Sequence, residues 1–222
     1  MRPGEARAAD YGPEAPRDCA RCVRLVAFRD VNRSAEPSWL NGAVPSFGPA
    51  TAELLIVGLA PGLRGANRTG RPFTGDYAGE LLYATLLEFG FAKGRYGASP
   101  DDGLELVGCM ISNAVRCVPP QNKPTPNEIA ECRGFLSERI AALPNLRVIV
   151  VLGRVAHDST LTTLGVRKAL FPFGHGARHE VRPNLTLFDS LHCSRLNTNT
   201  RRLTPDMFRS VFADVRRALG KA

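Results

Sequence analysis

Four runs of apolar residues punctuate the chain, and each leads into a loop of glycine, proline and polar side chains. They are "ELLIVGLAPG" from residue 53, "LELVGCMISNAVRC" from 104, "LRVIVVLGR" from 146 and "LTLFDSLHCS" from 185. Because the runs are continuous rather than alternating, they predict strands buried on both faces. Between and after them the apolar spacing turns helical, over 78–91, 126–143, 154–165 and 205–219. Thr125 before Pro126, with Glu128 close behind, supplies an N-cap, a first-turn proline and early negative charge.

Strands alternating with helices predict an α/β fold, a three-layer sandwich whose mainly parallel sheet of four strands is covered by helices on both faces. In such open sheets ligands bind beyond the carboxyl ends of the strands, and the unusual loops fall there: "APGLRGANRTGRPFTGD", "NAVRCVPPQNKP" and "HCSRLNTNTRRLT". Residues 1–16 are expected to lack order, and 23–50 to form an irregular arm carrying Trp39, the only tryptophan.

Composition narrows the field. At 222 residues and 44% hydrophobic, the chain suits one well-filled globular domain spanning 1–222. No run approaches the roughly 18 apolar residues of a membrane span, and "MRPGEARAADYGPEAP" lacks an apolar signal core. A cytoplasmic, nucleoid-associated protein is expected. The net charge of +8, with arginines in loops at Arg64, Arg68, Arg71, Arg195, Arg201 and Arg202, favours a polyanionic partner.

Six cysteines in a reducing compartment point to packing or metal rather than disulfides. Cys109 lies within a strand and reads as core, while Cys193 follows a loop histidine. Cys19 and Cys22 form a C-x-x-C pair in a polar segment with little core to fill, and Cys117 and Cys132 offer a second pair separated by one loop and a helical turn. Zinc ordinarily takes its second pair as C-x-x-C as well. A [4Fe-4S] cluster tolerates widely separated ligands and is the first expectation, zinc the second. With no flavin or nicotinamide signature, a staple tying the N-terminal arm to the sheet is its expected role.

The stretch "GLAPGLRGANRTGRPFTGD", residues 58–76, meets neither G-x-G-x-x-G nor the P-loop pattern, and its place between a buried strand and a crossover helix rules out a linker. It brings backbone close to a ligand at Gly58 and Gly62, and carries a ring (Phe73), a carboxylate (Asp76) and basic side chains (Arg68, Arg71). A flipped nucleobase needs such a stacking face, polar edge partners and cations for flanking phosphates. Ordinary packing for Phe73 and helix capping for Asp76 remain open alternatives. His192 opens a polar loop at the end of the last strand; His157, His175 and His179 are expected to be surface or satisfied core histidines.

Taken together, "GLAPG", "GANRTGRPFTGD", "NAVRCVPPQNKPTP" and "HCSRLNTNTRRLT" resemble the type 5 uracil-DNA glycosylases, the iron-sulfur or b-type branch of that superfamily, and the match runs from Cys19 to about Pro205. The resemblance implies a four-stranded parallel sheet between helices and a [4Fe-4S] cluster on Cys19, Cys22, Cys117 and Cys132. It implies hydrolysis of the N-glycosidic bond of uracil in DNA during base excision repair, by a monomer. Where type 4 relatives carry a glutamate this chain has Ala60, so the negative charge falls to Asp76, and the histidine of the last motif maps onto His192. Asn122 fits the base-edge position of this branch and Asn113 that of type 4. Phe73 is expected to stack on the base beside Gly58 and Ala60, and Arg68, Ser194, Arg195, Arg201 and Arg202 to meet DNA. Cys193 stands where many members have proline. The small Ala60 leaves room for other deaminated bases such as hypoxanthine. A non-catalytic, zinc-stapled nucleic-acid-binding module is the alternative.

Overall fold

The computed structural model describes residues 13–221. In chain order the elements are α1 (Val23–Ala35), β1 (Leu54–Gly58), α2 (Ala66–Thr69), α3 (Tyr77–Glu88), β2 (Ala92–Lys93), β3 (Glu105–Leu106) and β4 (Cys109–Asn113). They continue with α4 (Pro126–Ala141), β5 (Val148–Leu152), α5 (Arg154–Thr163), β6 (Arg178–Arg182), β7 (Leu185–Ser190), α6 (Arg195–Asn199) and α7 (Pro205–Ala218).

The main sheet runs β4-β1-β5-β7-β6. Its first four strands are the four apolar runs, paired in parallel, with Gly58 beside Asn113 and Val57 beside Val151. Strand alternation divides the core in two. Leu54 and Ile56 face α3 and α7, packing with Leu82, Phe208 and Phe212, whereas Leu55 and Val57 face α4 and α5, packing with Leu136 and Leu161. The three layers follow from that division. Thr125 closes a capping box with Glu128 at the start of α4, its Oγ1 accepting from Glu128 N at 3.3 Å while Thr125 N donates to Glu128 Oε2 at 2.8 Å.

Three expectations change. The sheet has a fifth strand, β6, antiparallel to β7. Its sequence "RHEVR" buries only Val181, so the apolar pattern could not reveal it, and such polar composition suits a sheet edge. The segment 23–50 is not irregular throughout, since α1 occupies its first half. That helix buries Leu25, Arg29 and Asn32, spaced i, i+4, i+7, and two of the three are polar, so no apolar stripe marks it. Arg29 Nη1 donates to Cys19 O at 2.9 Å, giving the buried guanidinium a partner. Finally, residues 1–12 of the segment expected to lack order lie outside the described residues, but Pro13–Pro16 are placed. Glu14 forms ion pairs with the buried Arg116, at 3.2 Å, and with Arg139. Among the described residues no helix is long and apolar enough to cross a membrane.

Candidate active site

Three loops at the carboxyl end of the sheet, those following β1, β4 and β7, enclose a cavity of about 390 Å³. Ala60, Phe73 and Asp76 come from the first, Asn113 and Asn122 from the second, and His192, Ser194 and Arg195 from the third. The acid, the ring and the imidazole, 119 residues apart at the extremes, therefore share one space.

Close backbone approach sets the floor. A Cβ on Gly58 would lie 2.4 Å from Asn113 Oδ1 and 2.7 Å from Phe73 Cζ, so only glycine lets those side chains lie against the end of β1. Phe73 itself has φ +52°, a backbone state that costs a non-glycine residue free energy and needs support from its surroundings. Its ring is 7% exposed, belongs to the core and also lines the cavity, with its centroid 5.8 Å from that of His192 and the planes 28° apart.

Asp76 is likewise both a helix cap and a cavity-lining side chain. Its side chain accepts from Gly79 N at 3.1 Å as the N-cap of α3, and it also faces the cavity. Its Oδ2 lies where a Cβ on Gly62 or Gly65 would sit, at 2.9 and 2.3 Å, so the loop folds its backbone around the carboxylate. Burial raises the Asp76 pKa, partly countered by backbone N–H groups of Gly79 and Ala78. Burial also drives the His192 pKa down to about 4, so the imidazole is neutral at physiological pH. Asn197 Nδ2 donates to His192 O at 2.8 Å and fixes the backbone of that loop, whose Ser194 caps α6.

Asn113 is 3% exposed, and its Oδ1 has no hydrogen-bond partner within the protein, whereas Asn122 is exposed with φ +55° after Gln121 at φ +56°. Arg195 borders the cavity with its guanidinium 5.2 Å from the Tyr77 ring centroid. Gly58 lies behind the wall. The structure does not bring Arg68, Arg201 or Arg202 to the cavity: Arg68 Nε donates to Arg64 O at 2.9 Å, beside a separate groove with Arg17 and Trp39, and Arg201 and Arg202 are exposed beyond α6. Arg71 is unavailable to phosphate, being 4% exposed and bidentate on Asp102 at 2.7 and 2.8 Å.

The four cysteines singled out converge. Cys19, Cys22, Cys117 and Cys132 line one small apolar cavity with Leu25, Val115 and Phe135, and Ala60 packs against the same cluster. Burial, reinforced by the neighbouring thiols, pushes Cys22 and Cys117 up to about 12. Arg116 N donates to Cys132 Sγ at 3.2 Å. Cys109 and Cys193 are fully buried in the main core. His157 is a satisfied core histidine, its Nδ1 2.7 Å from Asp189 Oδ1 and its Nε2 2.9 Å from Phe171 O.

A profile of the Uracil DNA glycosylase superfamily matches residues 45–216. The chain belongs to the uracil-DNA glycosylase superfamily. Within it the affinity is to type 5. The chain is 44% identical over 208 residues to the type-5 uracil-DNA glycosylase of Thermus thermophilus, covering 91% of this chain and 94% of that protein. It is 37% identical to the type-5 uracil-DNA glycosylase of Pyrobaculum aerophilum, over 92% and 89% of the two chains. Similarity to the type-4 uracil-DNA glycosylase of Archaeoglobus fulgidus, 38% identity, extends over only 51% and 49%.

Against this glycosylase frame, sequence reasoning overlooked two neighbours of Arg195, which lines the cavity. Tyr77 supports Arg195. Leu196, on α6 directly after Arg195, is 70% exposed. A leucine inside the polar stretch "SRLNTNT" was the available signal.

Proposed function

We propose that this chain hydrolyses the N-glycosidic bond of uracil in DNA, releasing the base and leaving an abasic site in base excision repair. The observation that carries the proposal is the convergence of Asp76 and His192 on one cavity that Phe73 and Asn113 also line. Glycosidic cleavage builds positive charge on the sugar and negative charge on the departing base. As the C1′–N1 bond breaks, its electron pair leaves with uracil. The Asp76 carboxylate stabilises the sugar cation and takes a proton from the water that adds to C1′. His192, neutral, donates one hydrogen bond to the base carbonyl as charge develops there. Both groups are desolvated before the reaction, which is what makes their electrostatic effect large.

The other roles follow from placement. Asn113, held rigidly with a free Oδ1, reads the base edge, and Asn122 closes the same wall. Phe73 stacks on the extruded base. Arg195 and Ser194 meet the flanking backbone, and exposed Leu196 enters the gap left in the duplex, as apolar wedges do. Arg68, Arg201 and Arg202, away from the cavity, serve longer-range attraction to DNA. Ala60 presents only a methyl group to the cavity, which admits hypoxanthine as well as uracil.

The chemistry of the donor set supports a [4Fe-4S] cluster on Cys19, Cys22, Cys117 and Cys132. Zinc ordinarily takes both of its pairs as C-x-x-C, whereas here the second pair comes from two separate segments, Cys117 after β4 and Cys132 on α4, a spacing that a cluster accommodates. When bound, the cluster supplies cross-linking of α1, the β4 loop and α4, with the Arg116 N–H aimed at one of its ligands.

The test is an oligonucleotide panel with U:G, hypoxanthine:T and T:A pairs, followed by alkaline cleavage at abasic sites. Strand scission is expected for the first two and not the third. An intact U:G strand at enzyme excess overturns the proposal, and an intact hypoxanthine strand overturns its breadth.

A further inference from the structure

The strained segment that carries Phe73 and Asp76 is gripped from behind by groups outside the cavity. Arg71, at its start, is buried, with its guanidinium forked onto Asp102 and its Nε donating to Thr74 Oγ1 at 2.8 Å. The rings of Phe47, Tyr83 and Tyr96 surround that guanidinium, at 5.2, 5.4 and 5.9 Å from their centroids. Asp102 is itself fixed by Gly97 N and Leu104 N at 2.8 and 3.0 Å, and the Arg71 hydrogen bond holds its carboxyl well below the usual carboxylate range.

Two stacked tyrosines, 4.6 Å apart, then reach the backbone of the segment. Tyr83 Oη donates to Pro72 O at 2.6 Å. Tyr96 Oη donates to Phe73 O at 3.3 Å and accepts from Gly75 N at 3.5 Å. Phe73 O in turn lies where a Cβ on Gly79 would be, 1.8 Å away, so the first turn of α3 is pressed directly against it. Phe73 at φ +52° and Gly75 at φ +88° are thus clamped between a helix and a phenol. Asp76 follows immediately.

Resting on the glycosylase reading above, we propose that Tyr96, seated on the Arg71–Asp102 pair, is a positioning residue that sets the placement of Phe73 and Asp76 over the scissile bond. Tyr96 and Asp102 both belong to the excursion between β2 and β3, so this hairpin is part of the active-site scaffold although it lines none of the cavity. Misplacement of reacting groups by about 1 Å costs as much as ~100-fold in rate, and loss of one of several supports should fall below that ceiling.

Tyr96→Phe keeps the ring on Tyr83 and beside Arg71 and removes only the hydroxyl. In single-turnover assays on a U:G duplex it should lower the rate of uracil release about tenfold, a fraction of that ceiling, and displace the acid limb of the pH–rate profile that reports Asp76. The Kd for duplex should stay within about twofold and Tm within about 2 °C, since a single hydroxyl of a half-buried residue is removed. Hydrogen exchange at residues 73–76 should quicken relative to wild type, with the sheet unchanged. A wild-type rate, or a slowed rate with an unmoved acid limb and unchanged exchange, overturns the proposal. A wild-type enzyme inert on U:G would refute the glycosylase reading instead, while the exchange comparison would still decide whether Tyr96 holds the segment.

Discussion

His192 offers a measurement in which stability reports on the active site. Its ring is desolvated, and its pKa falls from 6.5 in the unfolded chain to about 4 in the folded one. The sign follows from which state binds the proton first. Well above pH 6.5 neither state is charged at this position and the fold has its full stability; as pH falls through 6.5 towards 4 the unfolded chain takes up a proton that the folded chain refuses, and stability is lost. Taking those two values, the loss between pH 8 and pH 5 is about 2 kcal/mol, rising to about 3 kcal/mol below pH 4. His192→Asn removes the titrating group. Urea unfolding of both proteins at pH 8 and pH 5 gives a double difference in which the acid response of every other group, the cysteine nest included, cancels. Wild type should lose about 2 kcal/mol more than the variant over that interval. Equal losses would show that His192 titrates normally, and would refute the claim that it meets the base as a neutral donor.

Two further outcomes follow from the site. Iron and acid-labile sulfide should be found in about equal amounts, near four of each per chain, and Cys117→Ser should release them and lower Tm; zinc without sulfide would refute the assignment. Asn113→Ala should slow uracil release about 100-fold and Asn122→Ala less than tenfold, because only the former removes a rigid, buried partner for the base edge; the reverse order, read in single-turnover kinetics, would move base recognition to the 3-10 turn at Pro120–Asn122.

What was legible in the chain, and what was not, follows the strength of the burial signal. The four parallel strands bury both faces, so unbroken apolar runs announce them, and Thr125–Pro126 fixes the start of α4 through its cap. β6 and α1 escaped because they bury one valine, or a leucine among polar groups, and are held by backbone pairing and by Arg29 rather than by apolar area. At the site, the residue types Phe73, Asp76 and His192 could be picked out because each is anomalous at a strand end. Arg71 could not be sorted from the other loop arginines: nothing near it in sequence reveals that Asp102, 31 residues on, draws it inside. Glu14 is a similar case, its partners Arg116 and Arg139 lying over 100 residues away.

The most direct measurement concerns Asp76. Asp76→Asn keeps a good N-cap for α3 and removes a buried charge. Since burial raises the folded pKa of Asp76, its ionised form detracts from stability as pH rises through that value, and the variant should melt no lower than wild type at pH 8. Uracil release from a U:G duplex under single-turnover conditions should nevertheless fall by at least about 100-fold, with duplex binding retained. Release at the wild-type rate by that folded, DNA-bound variant would contradict the account, because the carboxylate that lines the cavity with His192 would then have no part in breaking the bond.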